Sequence, residues 1–231
     1  MKSSLLPVLP VLASLVAALP LCASDAVAAD ADGVVEAWLA GQADLRSLTA
    51  EFTQERRLRE GRRPIVSEGT FSFEAPGAFR WQLGEPPVTV AVQEQGGDLV
   101  VANLKRKRAT VYPPESLEKE EAAMGFSFVE AGFPETLAEF EKNFTVQGVE
   151  SKDGIYHVTV KINDRRTSIG LRKMVFFIAD GSFELRGFYL RFRDSSSVTM
   201  RFSGVKKNPD LPEEAFELDL TGFETKTRGS E

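Results

Sequence analysis

Cysteine and histidine are almost absent from this chain of 231 residues, which has one of each, Cys22 and His157. A single thiol excludes a disulfide framework and cysteine-ligated zinc, and a single imidazole excludes multi-histidine metal sites. No metal and no cofactor is therefore expected. A surplus of positive charge is missing too. Lys and Arg number 28 against 34 Asp and Glu, a formal net charge of −6. Nucleic-acid binding, which asks for a basic face, is not expected. Gly-rich phosphate loops, the Walker pattern and the dinucleotide fingerprint do not occur. After residue 21 no apolar run approaches the ~20 residues that a membrane-spanning helix needs. Tyrosine and tryptophan are scarce, at three and two, against 17 phenylalanines. Rings that need no hydrogen-bond partner when buried are what this chain has in excess.

The first residues carry one positive charge, Lys2, and an apolar run from Leu5 to Leu21 interrupted by Pro7, Pro10 and Pro20. With Ala26-Val27-Ala28 as a small-x-small exit, this pattern predicts a cleaved secretory signal peptide over residues 1–28. The rival reading is a membrane anchor, disfavoured by the prolines and the small-residue exit. Lipidation at Cys22 is a poor fit, because the preceding residue is Leu21. Cleavage removes one charge of each sign, Lys2 and Asp25, and every thiol. The expected product is an exported, acidic, Phe-rich unit over residues 29–231, read as a single domain.

Within that unit, Asp32 to Leu45 has helical spacing, with Val34, Val35, Trp38 and Leu39 on one side. Period-two segments follow. Phe52, Gln54, Arg56 and Leu58 share a face, as do Phe71 and Phe73, and then Phe79, Trp81 and Leu83. Residues 88–92 and 98–104 form a hairpin across Gly96-Gly97. Lys105, Arg106, Lys107 and Arg108 make a charge run, read as a solvated strand edge or, more sharply, as a docking patch for an acidic partner. Helical patterns occupy residues 115–124 and 134–144, with an apolar, glycine-flanked stretch between them. Strands resume at residues 146–149, 156–162, 174–178, 183–192 and 198–202, with Asp180-Gly181 as a hairpin turn, and residues 216–220 are expected to be the last.

The predicted fold class is mainly β with helices (α+β): a meander of ten or eleven strands, one N-terminal helix and a helical insertion. So many hairpin-linked strands argue a barrel or a strongly curved antiparallel sheet. One face collects Phe71, Phe73, Phe79, Trp81, Phe188, Leu190, Phe192, Met200 and Phe202; Val90 and Val101 join them as candidate lining. That face is either a packed core or a cavity for an acyl chain, and at about 0.8 kcal/mol per buried CH₂ such a chain could gain ~10 kcal/mol. His157, between Tyr156 and Val158 in an alternating strand, has no nucleophile or orienting acid at a recognisable motif and is read as structural. No catalytic residue is assigned. A two-carboxylate envelope hydrolase and a ligand-free structural domain remain as rivals.

Several short segments resemble, in order and spacing, the LolA-like family of outer-membrane lipoprotein carriers. They are Leu48-Thr-Ala-Glu-Phe-Thr-Gln54 after a first helix, Glu68-Gly-Thr-Phe-Ser-Phe73, Pro76-Gly-Ala-Phe-Arg-Trp81, and Pro212-Glu-Glu-Ala-Phe-Glu-Leu218 near the end. The resemblance implies an incomplete β-barrel of about eleven strands with helices as a lid. It implies a hydrophobic cavity for the acyl chains of lipoproteins, carried from the inner to the outer membrane without catalysis. Phe79 and Trp81 match the family's Pro-x-x-Phe-x-Trp segment. The implied partners are a lipoprotein or other acyl-lipid cargo, an inner-membrane release complex and an outer-membrane acceptor. A monomer is expected, since no heptad or paired interface signature occurs. The Arg that the family places before that Pro, implicated in holding the lid closed, is Ala75 here, and an aliphatic Leu99-Val100-Val101 replaces an aromatic strand. Within the fold the alternatives are a carrier or sensor of another envelope lipid, and a receptor anchored through Cys22.

Overall fold

Alternating apolar and polar residues separated by two- to five-residue turns force most of this chain into hairpin-linked strands. The computed structural model describes residues 31–58, 63–117, 136–163 and 170–228. Helix α1 (Ala31–Ala40) precedes β1 (Ser47–Arg57), β2 (Ile65–Glu74), β3 (Ala78–Leu83), β4 (Thr89–Gln93), β5 (Leu99–Asn103) and β6 (Arg108–Tyr112). Two short helices follow, α2 (Pro114–Leu117) and α3 (Leu137–Asn143). Then come β7 (Phe144–Lys152), β8 (Ile155–Ile162), β9 (Leu171–Ala179), β10 (Leu185–Phe192) and β11 (Ser197–Lys207). A 3₁₀ turn (Glu213–Phe216) and β12 (Glu224–Thr227) end the described chain.

All twelve strands belong to one curved, unclosed sheet in the order β12-β6-β5-β4-β3-β2-β1-β11-β10-β9-β8-β7. Two meanders, β1 to β6 and β7 to β11, are joined where β1 pairs antiparallel with β11. The sheet has two free edges, β7 and β12, and β12 pairs with β6 in parallel. The expected strand at residues 216–220 does not form. Glu213-Glu-Ala-Phe216 is helix-prone after Pro212 and makes the 3₁₀ turn instead, and the last strand is the wholly exposed Glu224–Thr227. Helix α1 stops at Ala40, ahead of Gly41, rather than reaching Leu45. Of the expected helical insertion, α2 and α3 are described, and residues 118–135 lie outside the described residues.

Strand period two divides the side chains between two faces. The inner face, which carries α1 and α3, has two apolar clusters. One joins Val35, Trp38 and Leu39 of α1 and Phe140 of α3 to β7 through β10. Its centre is aromatic: Trp38 lies 5.9 Å from Phe140 and 5.2 Å from Phe176, and Phe144 meets Phe176 edge-on at 5.4 Å. Helix α3 is started by Thr136, whose hydroxyl accepts from the Glu139 N–H at 3.2 Å.

The second cluster lies over β1 to β6 and β11, with Leu48, Phe52, Phe71, Phe73, Phe79 and Leu99 among its buried members. On the outer face a third cluster places Ala78, Val90 and Val92 under Phe216, with Leu211, Ala215 and Leu218 packed around it. The C-terminal segment is thus the cover of the β3–β5 outer surface. Arg80 fastens it by donating to the Glu217 carbonyl at 2.7 Å, and partial burial lowers the guanidinium pKa below its usual value. Parallel pairing of β12 with β6 follows, with Arg108 Nε 2.8 Å from the Glu224 carboxylate.

Candidate functional site

The register decides which predicted residues share a surface. Phe71 pairs with Trp81 and Phe73 with Phe79 across β2 and β3, and Trp81 pairs with Ala91, which pairs with Val101. In the other half, Phe188 pairs with Met200 and Leu190 with Val198, while Phe202 stands opposite Phe52. Phe71, Phe73, Phe79, Trp81, Val101, Met200 and Phe202 therefore lie in the β1–β6 cluster, and Leu190 and Phe192 lie in the β7–β10 cluster. Phe188 packs against both and joins them. Ten of the eleven candidate residues are on the inner face.

Val90 is the exception. It pairs with Gln82 and Ala102, one position out of phase with Trp81 and Val101, and is buried on the outer face under Phe216. Thr89–Gln93 is apolar at three consecutive positions, Val90, Ala91 and Val92, and all three are buried because both faces of β4 are covered. Only Ala91 points inward.

The inner face is graded in cover. Phe79, Phe71, Phe73 and Met200 are buried, whereas Trp81, Val101, Phe188, Phe192 and Phe202 are only half-buried. The half-buried rings are linked: Phe202 lies 6.4 Å from Phe71 and 6.2 Å from Phe188, and Trp81 stacks on Phe52 at 5.6 Å. Trp38 of α1, Phe52 of β1, Phe140 of α3, Phe144 of β7 and Phe176 of β9 complete the aromatic surface, and none of them is among the lining residues expected from the sequence; their apolar positions in helical or alternating segments are the available signal.

Where α1 ends, a small apolar pocket of about 30 Å³ opens between Trp38 and Gln42 of the helix end, Leu48 and Ala50 of β1, Phe202 and Val205 of β11 and the β9–β10 turn. Glu184 and Lys207 stand in its wall. Three buried polar atoms have no partner among the described residues, and all are here: Trp38 Nε1 and both side-chain heteroatoms of Gln42. The wall of this narrow pocket thus buries an indole donor and an amide that can both give and accept a hydrogen bond.

Polar chemistry sits elsewhere. A hollow lined by Glu51, Thr53, Glu68, Gln82, Glu85 and Ser203 collects three carboxylates. His157 faces outward beside Phe177, with ring centroids 4.9 Å apart, and burial lowers its pKa. Among the described residues no group of three or more His, Cys, Asp or Glu is arranged to hold a metal ion. No described helix is long and apolar enough to cross a membrane.

Comparison with known proteins agrees with this architecture. An outer-membrane lipoprotein carrier protein of Dechloromonas aromatica is 29% identical over 175 residues, covering 75% of this chain and 77% of the relative. One from Cupriavidus taiwanensis is 28% identical over 219 residues, covering 91% and 94%. An uncharacterized conserved protein of Thermus thermophilus, at 9% identity, shares the fold with a TM-score of 0.51 over 86% of this chain and 99% of its own. The family model described as outer membrane lipoprotein carrier protein LolA matches residues 43–219. A curved, unclosed sheet with an aromatic inner face under helices is thus the form taken here by a chain that belongs to the LolA family of outer membrane lipoprotein carrier proteins.

Proposed function

We propose that this protein is an exported carrier that shields the acyl chains of lipoproteins on the inner face of its sheet and moves them from the inner to the outer membrane. The observation that carries this reading is the run of half-buried apolar side chains, Trp81, Phe202, Phe188 and Phe192, along a surface whose neighbours are fully buried. They are the positions where an acyl chain gains contact without displacing the core. Phe71, Phe73, Phe79, Leu190 and Met200 form the wall behind them, and half-buried Val101 lies beside Trp81's strand partner Ala91. A chain that leaves water gains about 0.8 kcal/mol per CH₂, so even partial cover by this face holds it. Rings without polar atoms leave no unsatisfied donor when the cargo departs, which suits a protein that must release what it binds.

In this reading residues 1–28 direct export and are removed, residues 29–231 act as one unit in the periplasm, and no step of catalysis is involved. The inner-membrane partner hands over the cargo and an outer-membrane acceptor takes it. The test is native mass spectrometry of the protein purified from the cell envelope, with extraction of whatever it holds. Co-purified acylated lipoprotein, reduced at least tenfold in Trp81→Glu, is the expected result. An empty protein that also fails to take up a fluorescent acyl probe overturns the reading and leaves the phenylalanines as core alone.

A further inference from the structure

Cargo binding on the inner face gives no role to one rim of the sheet. Neighbouring strands alternate in direction, so the β1–β2 hairpin and the β3–β4, β5–β6 and β10–β11 turns fall at the same end of the strands. This end collects all the exposed large hydrophobic side chains among the described residues. Leu58, Ile65 and Val66 on the first hairpin and Val88 in the β3–β4 turn are 43%, 53%, 59% and 42% exposed. Cations stand among them. Arg56 is the strand partner of Ile65, Arg63 is two residues away, and both are exposed. Lys105, Arg106 and Lys107 fill the β5–β6 turn, exposed and without an ion-pair partner among the described residues.

The rim is held in shape. The Leu104 N–H donates to the Val88 carbonyl at 2.9 Å, so the basic turn and the Val88 turn are fastened side by side. The Gly84 N–H ties the β3–β4 turn to the Glu68 carbonyl of β2 at 2.7 Å, and the Arg106 N–H donates to Asn103 Oδ1 at 2.9 Å. Carboxylates at this end are partly committed: Glu55 to Arg57, Glu224 to Arg108 and Asp194 to Ser196; Glu68 and Glu85 also lie here. The turns of the opposite rim carry Glu94, Asp98, Asp153, Asp180 and Glu184. A chain of net charge −6 has thus gathered exposed cations and exposed aliphatic groups at one end.

We propose that this rim docks the protein on an anionic phospholipid bilayer, its aliphatic side chains entering the headgroup layer and its cations pairing with lipid phosphates. Cations interleaved with apolar side chains on one surface are what an anionic interface selects. A protein partner is favoured less, because the apolar side chains in which the centres of protein interfaces are enriched are Tyr, Trp, Phe and Met, and Lys is depleted there; none of the four exposed apolar side chains here is one of these, and two of the three cations of the β5–β6 turn are lysines. Each cation at such a surface is worth about fivefold in binding. This docking surface is separate from the cargo face, and its test does not depend on cargo.

The test is sedimentation of the purified protein with vesicles of phosphatidylethanolamine and phosphatidylglycerol at 3:1, against vesicles of phosphatidylcholine. Binding to the anionic vesicles at 0.1 M NaCl, at least tenfold above the neutral ones and abolished at 1 M NaCl, is expected, since the screening length falls from about 10 Å to about 3 Å. Ile65→Ser with Val66→Ser lowers it at least fivefold, and Lys105→Glu with Arg106→Glu and Lys107→Glu lowers it at least a hundredfold. The single change Arg63→Glu serves as a second charge variant if the triple one unfolds, and Lys152→Glu on the opposite rim leaves binding unchanged. Equal binding to both vesicle types, or wild-type binding in the rim variants, overturns the proposal. So does binding that appears only when membrane proteins are present, which would make the partner an acidic protein.

Discussion

Phe52 and Trp81 stack with their rings 9° from parallel and 5.6 Å apart, although a whole strand separates β1 from β3. They meet because the residue between them is Gly69, the strand partner of Phe52. A glycine in a strand centre has no side chain to pack and weakens the pairing; here the Phe52 ring covers it from the neighbouring strand. A Cβ at this position would run into the Gln82 carbonyl oxygen and the Phe52 ring edge.

Gly69→Ala should therefore be among the costliest small changes in the molecule. Overpacking against a rigid ring and a backbone carbonyl costs about 3 kcal/mol. For a domain of this size that lowers Tm by roughly 6–12 °C. Thermal unfolding followed by circular dichroism checks it, and a variant as stable as the parent would show that Phe52 can swing off Trp81 at no cost.

Truncations should separate the core from the cargo surface. Phe176 is fully buried at the meeting of Trp38, Phe140 and Phe144, so Phe176→Ala costs about 3–5 kcal/mol. Trp81 is only half-buried. Trp81→Ala should cost less stability than Phe176→Ala yet lower the uptake of an acyl probe at least tenfold. Equal losses of probe binding in the two variants, once both are shown to be folded, would remove the distinction between wall and contact surface.

Gln42, in the wall of the pocket at the end of α1, buries both its side-chain heteroatoms without a partner among the described residues. An unsatisfied buried polar group costs about 1–3 kcal/mol, and replacing it with an apolar group of similar shape recovers that. Gln42→Met should raise Tm by roughly 2–4 °C, the equivalent of about 1 kcal/mol. A lowered Tm would mean that the amide is satisfied in solution, for instance by a water that bridges it to Trp38 Nε1.

How far this could be read from residues alone differs along the chain. The strands from β1 to β3 alternate cleanly, and Phe52, Phe71, Phe73, Phe79 and Trp81 fall on one face in sequence and in structure alike. The Asp180-Gly181 turn sits where its residues predict, between β9 and β10. Val90 was misplaced because a strand covered on both faces loses its alternation, and its cover, Phe216, comes from the far end of the chain. Strand β12 carries Glu, Thr and Lys only, all exposed; its existence depends on parallel pairing with β6, which leaves no apolar period to read. The unpartnered Gln42 amide is likewise a property of packing.

His157 makes the last prediction, in the acid limb of stability. Its ring lies against Phe177, and burial, the largest influence, lowers its pKa below the usual value; Lys152, Arg201 and Lys173 push the same way, and Glu150 opposes them. The unfolded chain then binds a proton at a higher pH than the folded one. The contribution of His157 is constant above the unfolded value of about 6.5 and is lost as the pH falls through it toward the folded value. Asp194 and Asp219, held below the usual carboxylate range by hydrogen bonds from Ser196 and Thr221, act in a separate window below about pH 4, where protonation removes their stabilising effect. Denaturant unfolding of the parent between pH 7.5 and 5 should show stability declining with acid, and His157→Gln should flatten that slope while leaving the decline below about pH 4 in place. An unchanged slope in the variant would show that Phe177 does not exclude water from the imidazole, and that other groups set the stability of this face.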